Sequence, residues 1–188
     1  MTQQLWVFAG PNGAGKTTIV DRHVAGRIPV INPDAIAQTL PPDLNAGAKI
    51  LQAGRIALHR RQELLAAGKS FAIETTLTGR SELDLMRAAR RGGFKVSLVY
   101  IGLRDVQNSI ARVRERVSRG GHDVPFADLI RRFDRSLGHL GEAMGIADRV
   151  VLIDNSRSRR QLVLSREGGR IKYAMSTPPA WANLDPAA

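Results

Sequence analysis

There is no cysteine among the 188 residues, which excludes disulfides, thiolate metal sites and a cysteine nucleophile. Aromatic residues are scarce at 5%, which leaves little material for a platform that stacks nucleic-acid bases. No apolar run approaches the ~20 residues that cross a bilayer. The opening MTQQLWVFAG has no basic leader region, and its apolar stretch Leu5 to Ala9 is too short for a signal peptide, so a soluble cytoplasmic domain without membrane attachment is expected. Acids are in deficit: 17 Asp and Glu stand against 28 Lys and Arg, giving a formal charge of +11. Lysine is rare as well, with five of the 28, so arginine carries the excess. Its planar fork suits phosphate and carboxylate, and the expected partner is anionic, unless arginine is simply the surface cation of this chain.

The remaining composition is ordinary, 43% hydrophobic and 24% charged, which excludes wholesale disorder. A chain of this length forms one domain and buries roughly 70% of its unfolded surface. Short apolar runs at Leu5–Ala9, Pro29–Ile31, Phe71–Ile73, Val96–Ile101 and Val150–Ile153 are β-branched or aromatic and too short for helices, and they read as buried strands. Stretches with a 3.6-residue period lie between them: Gly15 to Val24, Ala46 to Ala67, Glu82 to Arg91, Asp105 to Arg119 and Pro125 to Met144. Such alternation predicts an α/β three-layer sandwich around a mostly parallel five-stranded sheet. Leu162–Leu164 and Arg170–Tyr173 flank Glu167-Gly168-Gly169, the signal of a C-terminal β-hairpin. Residues 1–175 are expected to form the domain, with 176–188 as an extended tail rich in Pro and Ala.

Gly10-Pro11-Asn12-Gly13-Ala14-Gly15-Lys16-Thr17 fits the phosphate-loop pattern G-x-x-x-x-G-K-[ST], with a strand leading in and a helix leading out through Thr18. Glycines let successive backbone N–H groups turn toward phosphate oxygens, and the helix N-terminus adds its dipole. Gly10 through Thr18 are therefore expected to hold ATP. Lys16 would reach the β- and γ-phosphates, and the Thr17 hydroxyl would ligate Mg²⁺.

Three further clusters bear on the fate of the γ-phosphate. Asp34, in Ile31-Asn-Pro-Asp34, follows the second strand at the end where ligands bind in doubly wound sheets. It is positioned to accept the proton of an attacking hydroxyl, or to cap a helix starting at Ala35. Glu74, Thr75 and Thr76 end the third strand and are expected near the metal's water shell or a hydroxyl-bearing substrate, with Asp154 as a rival acid. Arg112, Arg116 and Arg119 stand at i, i+4 and i+7 on one helix face. The glycines of Arg119-Gly-Gly-His-Asp-Val-Pro125 then break that helix, as in a hinged lid over about 112–125 that brings arginines to the γ-phosphate. His122 has no metal-ligand spacing to His23, His59 or His139 and is assigned no role.

With GPNGAGKTT, INPD, FAIETT, RVRERVSRGGHDVP and SREGGRIKY in this order, the chain resembles the zeta-toxin family of P-loop kinases in its short bacterial form, over about residues 4 to 173. INPD and RGGHDVP carry most of the likeness. The resemblance implies a nucleotide-kinase-like sheet and transfer of the ATP γ-phosphate to a hydroxyl. In the larger members the acceptor is the 3′-hydroxyl of the amino sugar in UDP-N-acetylglucosamine. It implies Lys16 as the loop lysine, Asp34 as catalytic base, Glu74 and Thr76 on the substrate side, and Arg119 with Arg112 or Arg116 at the γ-phosphate. An antitoxin partner belongs to the same implication. The acid that the larger toxins carry in the helix before the third strand is missing, since that region holds Leu58 and His59, and with the loop starting at residue 10 no N-terminal extension is expected for an antitoxin to cover. Two other functions remain open at this level: a nucleic-acid enzyme such as a polynucleotide 5′-hydroxyl kinase, favoured by the charge, and a nucleotide-gated binding protein.

Overall fold

A computed structural model describes residues 2–121 and 123–182. A seven-stranded sheet runs through the molecule. Its strands are β1 (Gln4–Ala9), β2 (Val30–Ile31), β3 (Phe71–Thr75), β4 (Lys95–Gly102), β5 (Arg149–Asp154), β6 (Gln161–Glu167) and β7 (Arg170–Ala174), in the order β2-β3-β1-β4-β5-β6-β7. The first five are parallel, whereas β6 and β7 add antiparallel at one edge as the expected hairpin. The central strands are apolar on both faces because helices cover both. In β4 every residue from Val96 to Gly102 is buried.

Side-chain alternation splits β1 between two cores. Leu5, Val7 and Ala9 join Phe71, Ile73, Leu98 and Tyr100 on one face. That face packs against α3 (Ala46–Ala66), α4 (Arg80–Arg91) and α6 (Phe126–Ile146) through Ala53, Ala57, Leu83, Met86, Leu140 and Met144. Phe8 joins Val99 and Ile101 on the other face, beneath Ile19 and Val20 of α1 (Lys16–His23). α2 (Pro33–Gln38) follows β2 directly, and α5 (Val106–Ser118) follows β4. Among the described residues no helix is long and apolar enough to cross a membrane.

The alternative reading of Asp34 as a helix cap and the expectation of an extended tail are both corrected. The cap of α2 is Asn32, whose Oδ1 accepts from the backbone N–H of Asp34 at 2.9 Å and of Ala35 at 3.4 Å. Pro33 occupies the first helical turn, so Asp34 sits inside the helix and its carboxylate is left exposed. The chain after β7 also returns to the core instead of extending away. Trp181, in a 3₁₀ turn at Ala180–Ala182, is 8% exposed, and its ring lies 5.6 Å from that of Tyr100. Residues 183–188 of the expected tail lie outside the described residues.

Candidate active site

The loop between β1 and α1 opens at Gly10, whose φ of +141° and close approach to β4 admit no side chain: a Cβ there would lie 2.1 Å from the Ile101 carbonyl oxygen. It is clamped from two sides. Ser109 Oγ of α5 donates to the Asn12 carbonyl at 2.7 Å, and Asn155 Nδ2, just after β5, donates to the Ala14 carbonyl at 2.8 Å. Lys16 is buried and donates from Nζ to the Gly10 and Pro11 carbonyls, each at 2.9 Å. Burial pulls its pKa down to about 8, with Arg116 and Arg132 adding to the effect and Glu74 and Asp34 opposing it. The side-chain oxygen of Asn12 is buried without a hydrogen-bond partner.

Glu74 stands at the end of β3, 8% exposed, facing the loop. The Thr17 hydroxyl donates to its Oε1 and Asn32 Nδ2 to its Oε2, both at 2.8 Å. Burial nevertheless pushes the Glu74 pKa up, against Lys16 and the Thr17 hydrogen bond. Asn32 therefore does two things at once, capping α2 through its oxygen and steadying Glu74 through its nitrogen. After Glu74 the chain turns sharply. Thr75 Oγ1 accepts from the Leu77 N–H at 3.0 Å, Leu77 takes a φ of +58°, and the Thr76 and Thr78 hydroxyls lie 3.2 Å apart.

All these groups line one cleft of about 1280 Å³. Asp34, Glu74, Thr75, Thr76, Lys16, Thr17 and Thr18 meet there with Arg112, Arg116 and Arg119. Arg112 Nη1 reaches the Gly13 carbonyl at 3.5 Å, while Arg119 is exposed and paired with Glu115 at 2.6 Å. Asp154 is not in the lining. It is buried, accepting from Ser156 Oγ at 2.5 Å and Trp181 Nε1 at 3.1 Å. His122 lies outside the described residues.

Several cleft residues escape the sequence reading. Arg131, Arg132 and Arg135 come from the polar side of α6, at a spacing of one and four that was visible beside the apolar stripe. Arg157 and Arg160 come from the basic loop after β5. Arg61 of α3 and Glu82 of α4 come from helices whose sequences carry no motif, and no local signal points to them. Among the described residues the cleft thus gathers ten basic side chains against the four acids Asp34, Glu74, Glu82 and Glu115, with no aromatic residue in its lining.

Residues 5–136, which take in the loop, Asp34, Glu74 and the arginines of α5, match the family described as an AAA domain. The chain belongs to the AAA-domain family. Within reach of it by sequence is an uncharacterized protein of Haemophilus influenzae, 34% identical over 129 residues that span 65% of this chain and 91% of that one. By structure the chain is similar to a crystal structure of AvrRxo1-ORF1:-ORF2 with ATP, with a TM-score of 0.74 and 19% identity over 91% of this chain. It spans 60% of that longer protein. A PezAT toxin–antitoxin structure from Streptococcus pneumoniae gives a TM-score of 0.63 at 19% identity, covering 88% of this chain and 71% of that one. These likenesses establish the α/β P-loop kinase-like fold for this member of the AAA-domain family.

Proposed function

We propose that the protein is an ATP- and Mg²⁺-dependent kinase that transfers the γ-phosphate to a hydroxyl of a small anionic acceptor, with a UDP-amino sugar as the first candidate. The observation that carries this reading is the convergence of Lys16, Thr17, Glu74 and Asp34 on one arginine-rich cleft at the carboxyl ends of the parallel strands. The residues suit the cofactors. Thr17 and Glu74 offer a hydroxyl and a carboxylate, the hard oxygen donors that Mg²⁺ takes alongside water and phosphate. The buried ammonium of Lys16, hydrogen-bonded to neutral carbonyls of its own loop, is matched to an arriving phosphate. Mg²⁺, when bound, neutralises charge on the β- and γ-phosphates.

In this reading the exposed carboxylate of Asp34 takes the proton of the acceptor hydroxyl. The hydroxyl oxygen then bonds to the γ-phosphorus as the bond to the β–γ bridging oxygen breaks, and ADP leaves. Arg112, Arg116 and Arg119 stabilise charge on the transferring group, and residues 112–125 act as a lid. Support for a hinge comes from Gly120, at a φ of +84°, which follows the C-cap residue Arg119 of α5. Thr75 and Thr76 face the acceptor. The fold similarity to a chain of the PezAT toxin–antitoxin system supports an antitoxin-like protein partner as a further part of the proposal.

A nucleic-acid acceptor fits the net charge but not the cleft, whose described lining offers no aromatic side chain to stack a base. The test is transfer of label from γ-labelled ATP to nucleotide sugars, hydroxy acids and a 5′-hydroxyl oligonucleotide, with Lys16→Ala as the blank. Label on a small anionic acceptor is the expected result. Label on the oligonucleotide alone, or on free phosphate alone, overturns the acceptor assignment.

A further inference from the structure

One wall of the cleft is a stripe of α3. Ile50, Gly54 and Arg61 stand at i, i+4 and i+11, three turns along one helix face. The wall is open at Gly54, where a Cβ would meet nothing within 4 Å. Ile50 is exposed and Gly54 half-buried, whereas Arg61 is the one charged residue of α3 that is buried. It is 5% exposed, and its Nε is buried with no hydrogen-bond partner. Among the described residues its one ion pair runs from Nη1 to Glu82 Oε1 at 3.6 Å, longer than a hydrogen bond. Glu82 is itself shared, because its Oε2 accepts from Ser81 Oγ at 3.1 Å.

A guanidinium has five N–H donors, and one left this far from satisfied inside a protein is costly. A strut joining two helices would be built with a close, two-bonded arginine–carboxylate pair. Here the pair is loose and the arginine borders the cleft that holds Asp34 and the Thr76 and Thr78 hydroxyls. Burial lowers the Arg61 pKa, and Glu82 opposes that shift only in part. An anion entering beside it supplies the missing acceptors.

We propose that Arg61 anchors a carboxylate or phosphate group of the acceptor, carried on the same molecule as the hydroxyl that is phosphorylated. Arg61 is then the specificity-determining residue of the acceptor subsite, Glu82 its resting counter-ion, and neutral polyols are poor ligands. This rests on the kinase reading above, but its test does not need turnover.

The protein is saturated with Mg²⁺ and a non-hydrolysable ATP analogue, so that the loop is filled. Glucose, gluconate, glucose 1-phosphate and UDP-N-acetylglucosamine are then titrated by calorimetry. The wild type is expected to bind at least one of the three anions roughly tenfold or more tightly than glucose, the scale of a charge-assisted hydrogen bond. Arg61→Gln should reduce that preference to within about twofold and leave the analogue's affinity unchanged, and Arg61→Lys should restore part of it. Since Arg61→Gln leaves Glu82 unpaired, the double variant Arg61→Met/Glu82→Leu, which removes both charges together, runs beside it. An anion preference that survives in the folded double variant overturns the proposal. So does a wild type that binds none of the three anions more tightly than glucose. Anion binding that depends on Arg61, with no label transfer to any acceptor, upholds the subsite and overturns the kinase reading instead.

Discussion

The Thr17 hydroxyl donates to Glu74 Oε1 at 2.8 Å, joining the phosphate loop to the end of β3 across 57 residues of sequence. In the proposed reading the Thr17 hydroxyl is a donor for Mg²⁺, and it lies beside an acid whose pKa burial raises. Glu74→Gln keeps the shape and removes the charge. Because the Glu74 pKa is raised on folding, its contribution to stability is present in acid and lost as pH rises through the folded value. The variant should therefore match or exceed the wild type in Tm at neutral pH and lose that advantage below about pH 4.5, the ordinary glutamate range. Its Mg²⁺ requirement for ATP binding should rise about tenfold, measured by titration at fixed ATP.

Lys16 gives the second pH dependence. Its pKa in the unliganded protein is about 8, and a triphosphate beside the ammonium raises it. Binding then takes up a proton above about pH 8, and the dissociation constant for ATP should weaken by up to about tenfold per pH unit there while staying flat below. For stability the sign runs the other way: the unfolded lysine holds its proton to higher pH, so the unliganded protein gains stability as pH rises from about 8 toward the ordinary lysine value. ATP affinity measured from about pH 7 to about pH 9.5 checks the first statement, with Lys16→Ala expected to show no such slope.

Gly10 tests the loop's attachment to β4. Gly10→Ala places a Cβ 2.1 Å from the Ile101 carbonyl at a φ of +141°, and it should cost about 3 kcal/mol or more in denaturant unfolding. Gly26→Ala is the control, since its φ is +78° with nothing within 4 Å, and only the conformational cost of about 1 kcal/mol is expected. Equal losses at the two sites would remove the packing argument.

Local chemistry explains what could be read in the sequence. The parallel strands were legible because burial on both faces makes them short continuous apolar runs, and the loop because a backbone that wraps phosphate needs glycines at fixed places. The hairpin was visible in Gly168 and Gly169, which take φ of +55° and +76°. Asn32 was overshadowed by the neighbouring Asp34, since either residue type can cap a helix and only the three-dimensional path shows which side chain turns back. Arg61 and Glu82 meet only because α3 and α4 pack on the same sheet face, a long-range fact with no local periodicity to announce it. Trp181 was hidden for the same reason, as its partner is a gap left by Gly102 in a distant strand.

That gap supplies a fourth prediction. A Cβ at Gly102 would fall 2.3 Å from the Trp181 ring, so Gly102→Ala should expel the tryptophan. Its fluorescence should shift to the red and stability should fall by about 2 kcal/mol or more. Trp181→Ala should cost about 3 kcal/mol, and adding Gly102→Ala to it should cost little further, because the two act through one contact.

The central claim, a kinase whose base is Asp34, is tested most directly by Asp34→Asn. ATP affinity and γ-label transfer to the acceptor that the wild type uses are measured side by side on that variant. Asp34 is exposed, the cap of α2 is Asn32, and among the described residues the Asp34 carboxylate accepts no hydrogen bond from the loop, so ATP affinity should stay within about twofold while transfer falls by a factor of about 10² or more. Transfer by Asp34→Asn at a rate comparable with the wild type would contradict the account.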